Sequence, residues 1–175
     1  MLRLFFSDTV EAHALLREAV RLAWGWEGLP RLEREAWGKP RFPTRPDHHF
    51  NLSHSGPYAL CALGDMPVGA DVERVRPRRS FLPRKALSPE EFDWFQARGG
   101  RWEDFYTLWT LKEARVKCQG SGLDRPPREI AVPLLSPGGI GTLGGLTFAA
   151  YAGPGWRAAL CSPGGAALLE DFPLS

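Results

Sequence analysis

Cysteine is scarce in this chain, and lysine is scarcer than the charge count suggests. The three cysteines, Cys61, Cys118 and Cys161, form no CxxC pair and no even framework. That excludes a disulfide scaffold and points to reduced thiols and a cytoplasmic location. No apolar run approaches the roughly 18–20 residues of a membrane helix. The opening MLRLFFSDTVEAH has too short an apolar run, and too early an acid at Asp8, for a secretory signal. No membrane partner is expected. A net charge of +2 is too mild to indicate nucleic acid. There is no GxSxG nucleophile elbow and no HExxH, so a Ser53–His54 dyad or a zinc site from His48, His49 and His54 finds little support. Of the 22 basic residues only Lys39, Lys85, Lys112 and Lys117 are lysine. A chain so biased towards arginine keeps lysine where a compact, rotatable point charge is useful.

What is present fits one compact domain or two small subdomains sharing a core, since 175 residues with 43% apolar content is ordinary globular composition. LRLFF at 2–6 reads as a strand. Asp8 with Glu11 is a capping-box-like start for a helix whose apolar spacing runs from Val10 to Ala23 and stops at Gly25. The segment 25–50 reads mostly as loop, and FNLSHSG at 50–56 as a loop before a strand. Tyr58–Leu63 and Val68–Val75 suggest a hairpin turned by GDMP. The basic stretch 74–85 reads as a connection. Ser88-Pro89-Glu90-Glu91 caps a helix that stops near Gly99-Gly100, and a second helix runs from about Trp102 to Gly120. Strands follow at Ile130–Val132, Leu146–Tyr151 and Trp156–Cys161, with Gly-rich turns at 138–145 and 153–155. The fold class is α+β with antiparallel sheet.

Two stretches carry the chemistry. In VGADVERV at 68–75, Asp71 and Glu73 leave one face of a strand as an i, i+2 pair. In FYTLWTLKEARVKCQGSGL at 105–123, Trp109, Glu113 and Lys117 recur every four residues of a helix. Each has a bland alternative, a solvated strand face and ordinary helix-surface ion pairs. Brought together, however, they place three carboxylates beside a lysine. Such a set suits a magnesium ion carrying a phosphate-bearing substrate, because Mg²⁺ is usually held by a few carboxylates, waters and substrate phosphates. The residues therefore point to magnesium-dependent phosphoryl-type transfer. Ser53, His54 and Ser55 add a candidate anion site.

Taken in order, WGKP at 37–40, FNLSHS at 50–55, VGADVE at 68–73, WTLKEARVK at 109–117 and GSGL at 120–123 resemble the 4′-phosphopantetheinyl transferases. The resemblance is to the large single-chain class, and it covers about residues 12–125. It implies a pseudo-dimer of two similar helix-plus-antiparallel-sheet halves, here 1–77 and 78–175. It also implies transfer of 4′-phosphopantetheine from coenzyme A to a serine of an apo acyl or peptidyl carrier protein, with magnesium or manganese as the metal and 3′,5′-ADP released. By the same resemblance Asp71, Glu73 and Glu113 are metal ligands, and Glu113 and Lys117 are catalytic. Lys39, Ser53, His54, Asp71 and Lys117 contact coenzyme A, while Lys112 is left without a role. An arginine that the family often carries early in its first helix, for the nucleotide 3′-phosphate, meets EAHALLREAV here. That leaves His13, Arg17 or no residue for the contact. The expected partners are the carrier protein and coenzyme A, with no nucleic acid and a monomeric chain. Two alternatives stay open: a non-catalytic coenzyme A or carrier-protein binder, and another magnesium-dependent phosphoryl-transfer enzyme.

Overall fold

The computed structural model describes residues 1–172. In chain order the elements are β1 (Leu2–Ser7), α1 (Ala12–Trp24), β2 (Glu33–Arg34), β3 (Pro40–Arg41), β4 (His49–Ser55), β5 (Tyr58–Gly64) and β6 (Gly69–Arg74). They continue with α2 (Leu82–Ala86), α3 (Pro89–Ala97), α4 (Trp102–Gln119), β7 (Ile140–Leu143), β8 (Leu146–Gly153), β9 (Trp156–Ser162) and β10 (Leu169–Asp171). The class is α+β. One sheet has the order β10-β1-β5-β4 and the other β6-β9-β8-β7. Every pairing in them is antiparallel except that of β1 with β10.

Strand alternation explains the layering. In the first sheet Phe5, Ala59, Cys61 and Leu63 face the buried stripe of α1, formed by Leu15, Leu16, Ala19 and Val20. Their neighbours Leu4, Phe6, Leu60 and Ala62 turn the other way and pack on Ala70, Val72, Ala149, Ala158 and Leu160 of the second sheet. The far face of the second sheet presents Phe148, Ala159 and Cys161 to Leu108, Leu111 and Ala114 of α4. The result is helix, sheet, sheet, helix, with a shared apolar layer between the sheets. The chain crosses between the layers: β6 joins the second sheet and β10 returns to the first.

Local chemistry sets the helix ends. Ser88 and Glu91 close a reciprocal capping box on α3. Gly25 and Gly120 end α1 and α4 at φ of 68° and 65°, in the left-handed region glycine enters without strain. Helix α1 starts differently from the expectation. Its cap is Glu11 alone, whose carboxylate accepts the amides of His13 and Ala14, while Asp8 is exposed in the preceding turn.

Other expectations are corrected too. Tyr58–Leu63 and Val68–Val75 do not form a hairpin, because β5 is buried along almost its whole length and takes β1 and β4 as its two neighbours. The true hairpin is β4–β5, so FNLSHS is a strand and not a loop. Segment 25–50 contains the small β2–β3 hairpin, and 74–85 contains α2. Ile130–Val132 is no strand, since the carbonyl of Ile130 is taken by Lys112 Nζ at 2.7 Å. The Gly-rich stretch 138–145 holds strand β7, which turns into β8 through Gly144 and Gly145 at φ of 58° and 78°.

Candidate active site

The site begins with one missing side chain. On β6, Ala70 and Val72 point into the layer between the sheets, so Gly69, Asp71 and Glu73 face α4. A methyl group built on Gly69 would run into the Ala114 carbonyl and the Cys118 amide, and would lie 2.9 Å from Cys118 Cα. The last turns of α4 therefore rest directly on the β6 backbone. That contact sets the approach of Glu113 and Lys117. Gly69→Ala is expected to cost about 2–3 kcal/mol, because backbone and not a flexible side-chain end stands in the way. Thermal unfolding checks it: at about 2–4 °C per kcal/mol for a chain of this size, the melting temperature falls by about 4–12 °C.

Across this contact Lys117 Nζ meets Asp71 Oδ1 at 2.6 Å, Ser53 Oγ at 3.2 Å and the Ala70 carbonyl at 3.3 Å. The Ser53 hydroxyl donates to Asp71 Oδ1 at 2.9 Å and accepts the Val72 amide at 3.2 Å. Ser55 does the same one rung along, donating to Glu73 Oε2 at 2.8 Å and accepting the Arg74 amide at 3.1 Å. Asp71 is buried, and its Oδ2 has no hydrogen-bond partner among the described residues. Glu73 and Glu113 are half-buried.

Electrostatics bind the three acids into one unit. Burial pushes the Asp71 carboxyl above its ordinary value, against the opposing charge and hydrogen bond of Lys117. Burial raises Glu73 as well, with the Asp71 charge adding to it and the Ser55 hydrogen bond opposing. Glu113 is raised by burial first, then by Asp71 and Glu73, with Lys117 opposing. Asp71 raises both glutamates and carries a buried oxygen with no partner among the described residues, which fits a hard divalent cation with open coordination positions. The three acids do not form a ready-made cage: among the described residues no group of three or more His, Cys, Asp or Glu converges as a metal site. Asp71 Oδ1 is held by Lys117 and Ser53.

The other candidates lie elsewhere. Lys39 is in the wall below α4, where its ammonium donates to the Lys117 carbonyl at 2.8 Å and the Val68 carbonyl at 3.1 Å. Burial lowers its pKa. It borders a groove of about 230 Å³ shared with Trp37, Asn51, Lys117 and Gly122. His54 is exposed on the opposite face of β4 from Ser53. It lines a separate cavity of about 330 Å³ with His13, Glu11 and Tyr58. Arg17 does not line it. Lys112, whose role the sequence left open, sits away from the acids: it is buried, and it bonds Glu91 and the carbonyls of Pro127 and Ile130. Asn51 went unremarked in the sequence, yet its Oδ1 accepts the Ala70 amide at 2.8 Å. The polar i, i+2, i+4 pattern Asn51, Ser53, Ser55 was the available signal, and it is hidden when the stretch is taken as a loop.

On this α+β sandwich an acid and a lysine meet between strand and helix, at Asp71 and Lys117. Comparison with known proteins makes the arrangement specific. The family model of the 4′-phosphopantetheinyl transferase superfamily matches residues 67–161, which include β6, α4 and all of β9 but its last residue. The chain belongs to that superfamily. It is 35% identical over 136 residues to a 4′-phosphopantetheinyl transferase of Bacillus subtilis, covering 75% of this chain and 60% of that relative. It is 34% identical over 112 residues to 4′-phosphopantetheinyl transferase Sfp of Bacillus subtilis strain 168, covering 63% of this chain and 50% of that relative. With the mouse L-aminoadipate-semialdehyde dehydrogenase-phosphopantetheinyl transferase it shares 31% identity over 121 residues, 60% of this chain and 39% of that protein. The chain thus spans half to three fifths of the length of the two bacterial relatives. Among the described residues no helix is long and apolar enough to cross a membrane.

Proposed function

We propose that this chain transfers 4′-phosphopantetheine from coenzyme A to a serine hydroxyl of an apo acyl or peptidyl carrier protein, with magnesium as the metal and 3′,5′-ADP as the second product. The observation that carries this reading is the contact of Asp71 with Lys117 at 2.6 Å, beside Glu73 and Glu113, inside the family-matched segment. In the reaction the serine oxygen forms a bond to the phosphorus that carries pantetheine. The bond from that phosphorus to the bridging oxygen breaks, and 3′,5′-ADP leaves. Asp71, with its free Oδ2, Glu73 and Glu113 would hold the metal. A bound divalent cation supplies charge neutralisation at the diphosphate oxygens.

The chain's own side chains do the rest. Lys117, fixed by Asp71, Ser53 and the Ala70 carbonyl, offers a positioned positive charge to the diphosphate. Glu113, whose carboxyl is pushed above its ordinary value by burial and its acidic neighbours, is the carboxylate proposed to accept the serine proton. Lys39 keeps an ammonium hydrogen beyond its two carbonyl bonds for a phosphate oxygen. The recess holding His13 and His54 offers imidazoles to the nucleotide end. Arg74, Arg76, Arg78, Arg79, Arg84 and Lys85 are exposed and form a basic surface suited to an acidic carrier helix.

Titration calorimetry with coenzyme A and Mg²⁺ tests the site. Lys117→Ala is expected to weaken binding by about 10–100-fold, as for the loss of a part-buried positive charge beside an anion. Equal affinity in the variant would contradict the role given to Lys117.

A further inference from the structure

The strands β4 and β6 lie side by side without sharing a backbone ladder, and three side chains replace it. Asn51, Ser53 and Ser55 accept the amides of Ala70, Val72 and Arg74 at 2.8, 3.2 and 3.1 Å. The rungs advance by two residues on both strands, so a strand-period polar face meets a strand-period row of amides that would otherwise lack partners.

The rungs differ in what they do with the residue before each amide. Before Ala70 stands Gly69, which has no side chain, and the rung is an amide oxygen that only needs to accept. Before Val72 and Arg74 stand Asp71 and Glu73, and there the rung is a hydroxyl. A serine oxygen that accepts a fixed amide has its single proton left for a second partner. In both cases that partner is the preceding carboxylate, at 2.9 Å for Asp71 and 2.8 Å for Glu73. The sequence N-x-S-x-S is thus matched rung by rung to G-x-D-x-E.

We infer that Ser55 is a positioning residue that locks the Glu73 carboxylate in orientation by bridging it to the Arg74 amide. Ser53 performs the same bridging for Asp71, but it also touches Lys117 and so belongs to the site already described. Among the described residues, the side-chain hydrogen bonds of Ser55 go to Glu73 and the β6 backbone alone. Its function would be to keep Glu73 aimed so that a divalent cation meets an oriented ligand and not a mobile one. The inference rests on the metal reading above.

The test is manganese binding to the full chain, followed by water-proton relaxation with Mn²⁺ alone and with coenzyme A. Melting temperatures and steady-state kinetics are measured alongside. Ser55→Ala is expected to weaken Mn²⁺ binding by about 10-fold or more, the usual cost of removing a partner that orients a metal ligand. It should lower kcat with little change in KM for coenzyme A. Ser55→Thr keeps a hydroxyl and should recover most of the binding. Asn51→Ala, which breaks a rung without touching a carboxylate, should lower the melting temperature and leave Mn²⁺ affinity unchanged. Native affinity in Ser55→Ala, or equal weakness in Ser55→Ala and Ser55→Thr, overturns the inference. A native chain that loses manganese on Asp71→Ala but not on Ser55→Ala overturns it while sparing the metal reading. Manganese bound equally by the native chain and Asp71→Ala removes both.

Discussion

Asp71→Ala is expected to reduce phosphopantetheine transfer by about 10³-fold or more while leaving the chain folded. Lys117 and Ser53 both bond Oδ1 of Asp71, and its buried Oδ2 has no partner among the described residues. Removing this carboxylate takes away a proposed metal oxygen and also the group that holds Lys117 in place. Losses of one preorganised electrostatic group alone reach about 10²–10³ in rate, and here two functions depend on one carboxylate. The fold should tolerate the change for a physical reason. Burial of this carboxyl is costly, as its raised pKa shows, and its truncation relieves that cost. Ser53 keeps its bond from the Val72 amide, and Lys117, part-exposed, can turn to water. Turnover and thermal unfolding measured on the same preparation separate the two effects. A fully active Asp71→Ala would contradict the assignment of the site.

Lys112→Ala is expected to do the opposite, damaging stability more than chemistry. Lys112 is 1% exposed, and its ammonium is fully used. It donates to Glu91 Oε1 at 2.8 Å, the Pro127 carbonyl at 2.9 Å and the Ile130 carbonyl at 2.7 Å. Burial lowers its pKa, with Glu91 opposing. This one side chain ties α3, α4 and the segment 127–130 together. Its loss leaves the buried Glu91 carboxylate without its counter-charge, held by the Ser88 amide alone, and frees two carbonyls. Breaking a buried pair in this way costs about 3–5 kcal/mol, which lowers the melting temperature by about 6–20 °C at 2–4 °C per kcal/mol. Residual folded protein should still bind coenzyme A, because Lys112 bonds Glu91 and the 127–130 carbonyls and not Asp71. A variant melting with the native chain would show that the pair contributes nothing.

These two lysines illustrate what the sequence could reveal. Both sit on one helix five residues apart, inside one motif, and the four-residue recurrence of Trp109, Glu113 and Lys117 is plain. Which face of α4 meets β6, and which is buried under the 127–130 segment, depends on Gly69 and Glu91, both far away in sequence. Locally encoded features were legible: the Ser88 capping box, the glycine stops at Gly25 and Gly120, and strands such as LRLFF and the stretch starting at Trp156. Strand partners were not. The turn GDMP looks like a hairpin turn, but burial of β5 on both faces calls β1 and β4 to its sides and sends β6 to the other sheet.

The site divides along the same line. Alternation in GADVE places Asp71 and Glu73 on one face from sequence alone. The bonds that hold them do not follow from it, because FNLSHS has polar residues where a buried strand ordinarily shows apolar ones. Its serines are buried or half-buried only because β6 supplies amides and carboxylates to satisfy them. Lys39, in a glycine-proline turn, gave no sign that it would face the carbonyls at the end of α4. His54 lies between two serines that face β6, and the period of two sends it to the other side.

The measurement that bears most directly on the proposed function is intact-mass analysis of apo carrier proteins incubated with this chain, coenzyme A and Mg²⁺. The proposal predicts a gain of one phosphopantetheine on an acyl or peptidyl carrier, blocked by EDTA and absent with Glu113→Ala. No gain on any carrier of either kind, from a folded chain that binds coenzyme A, would contradict it and leave a binder in place of a transferase.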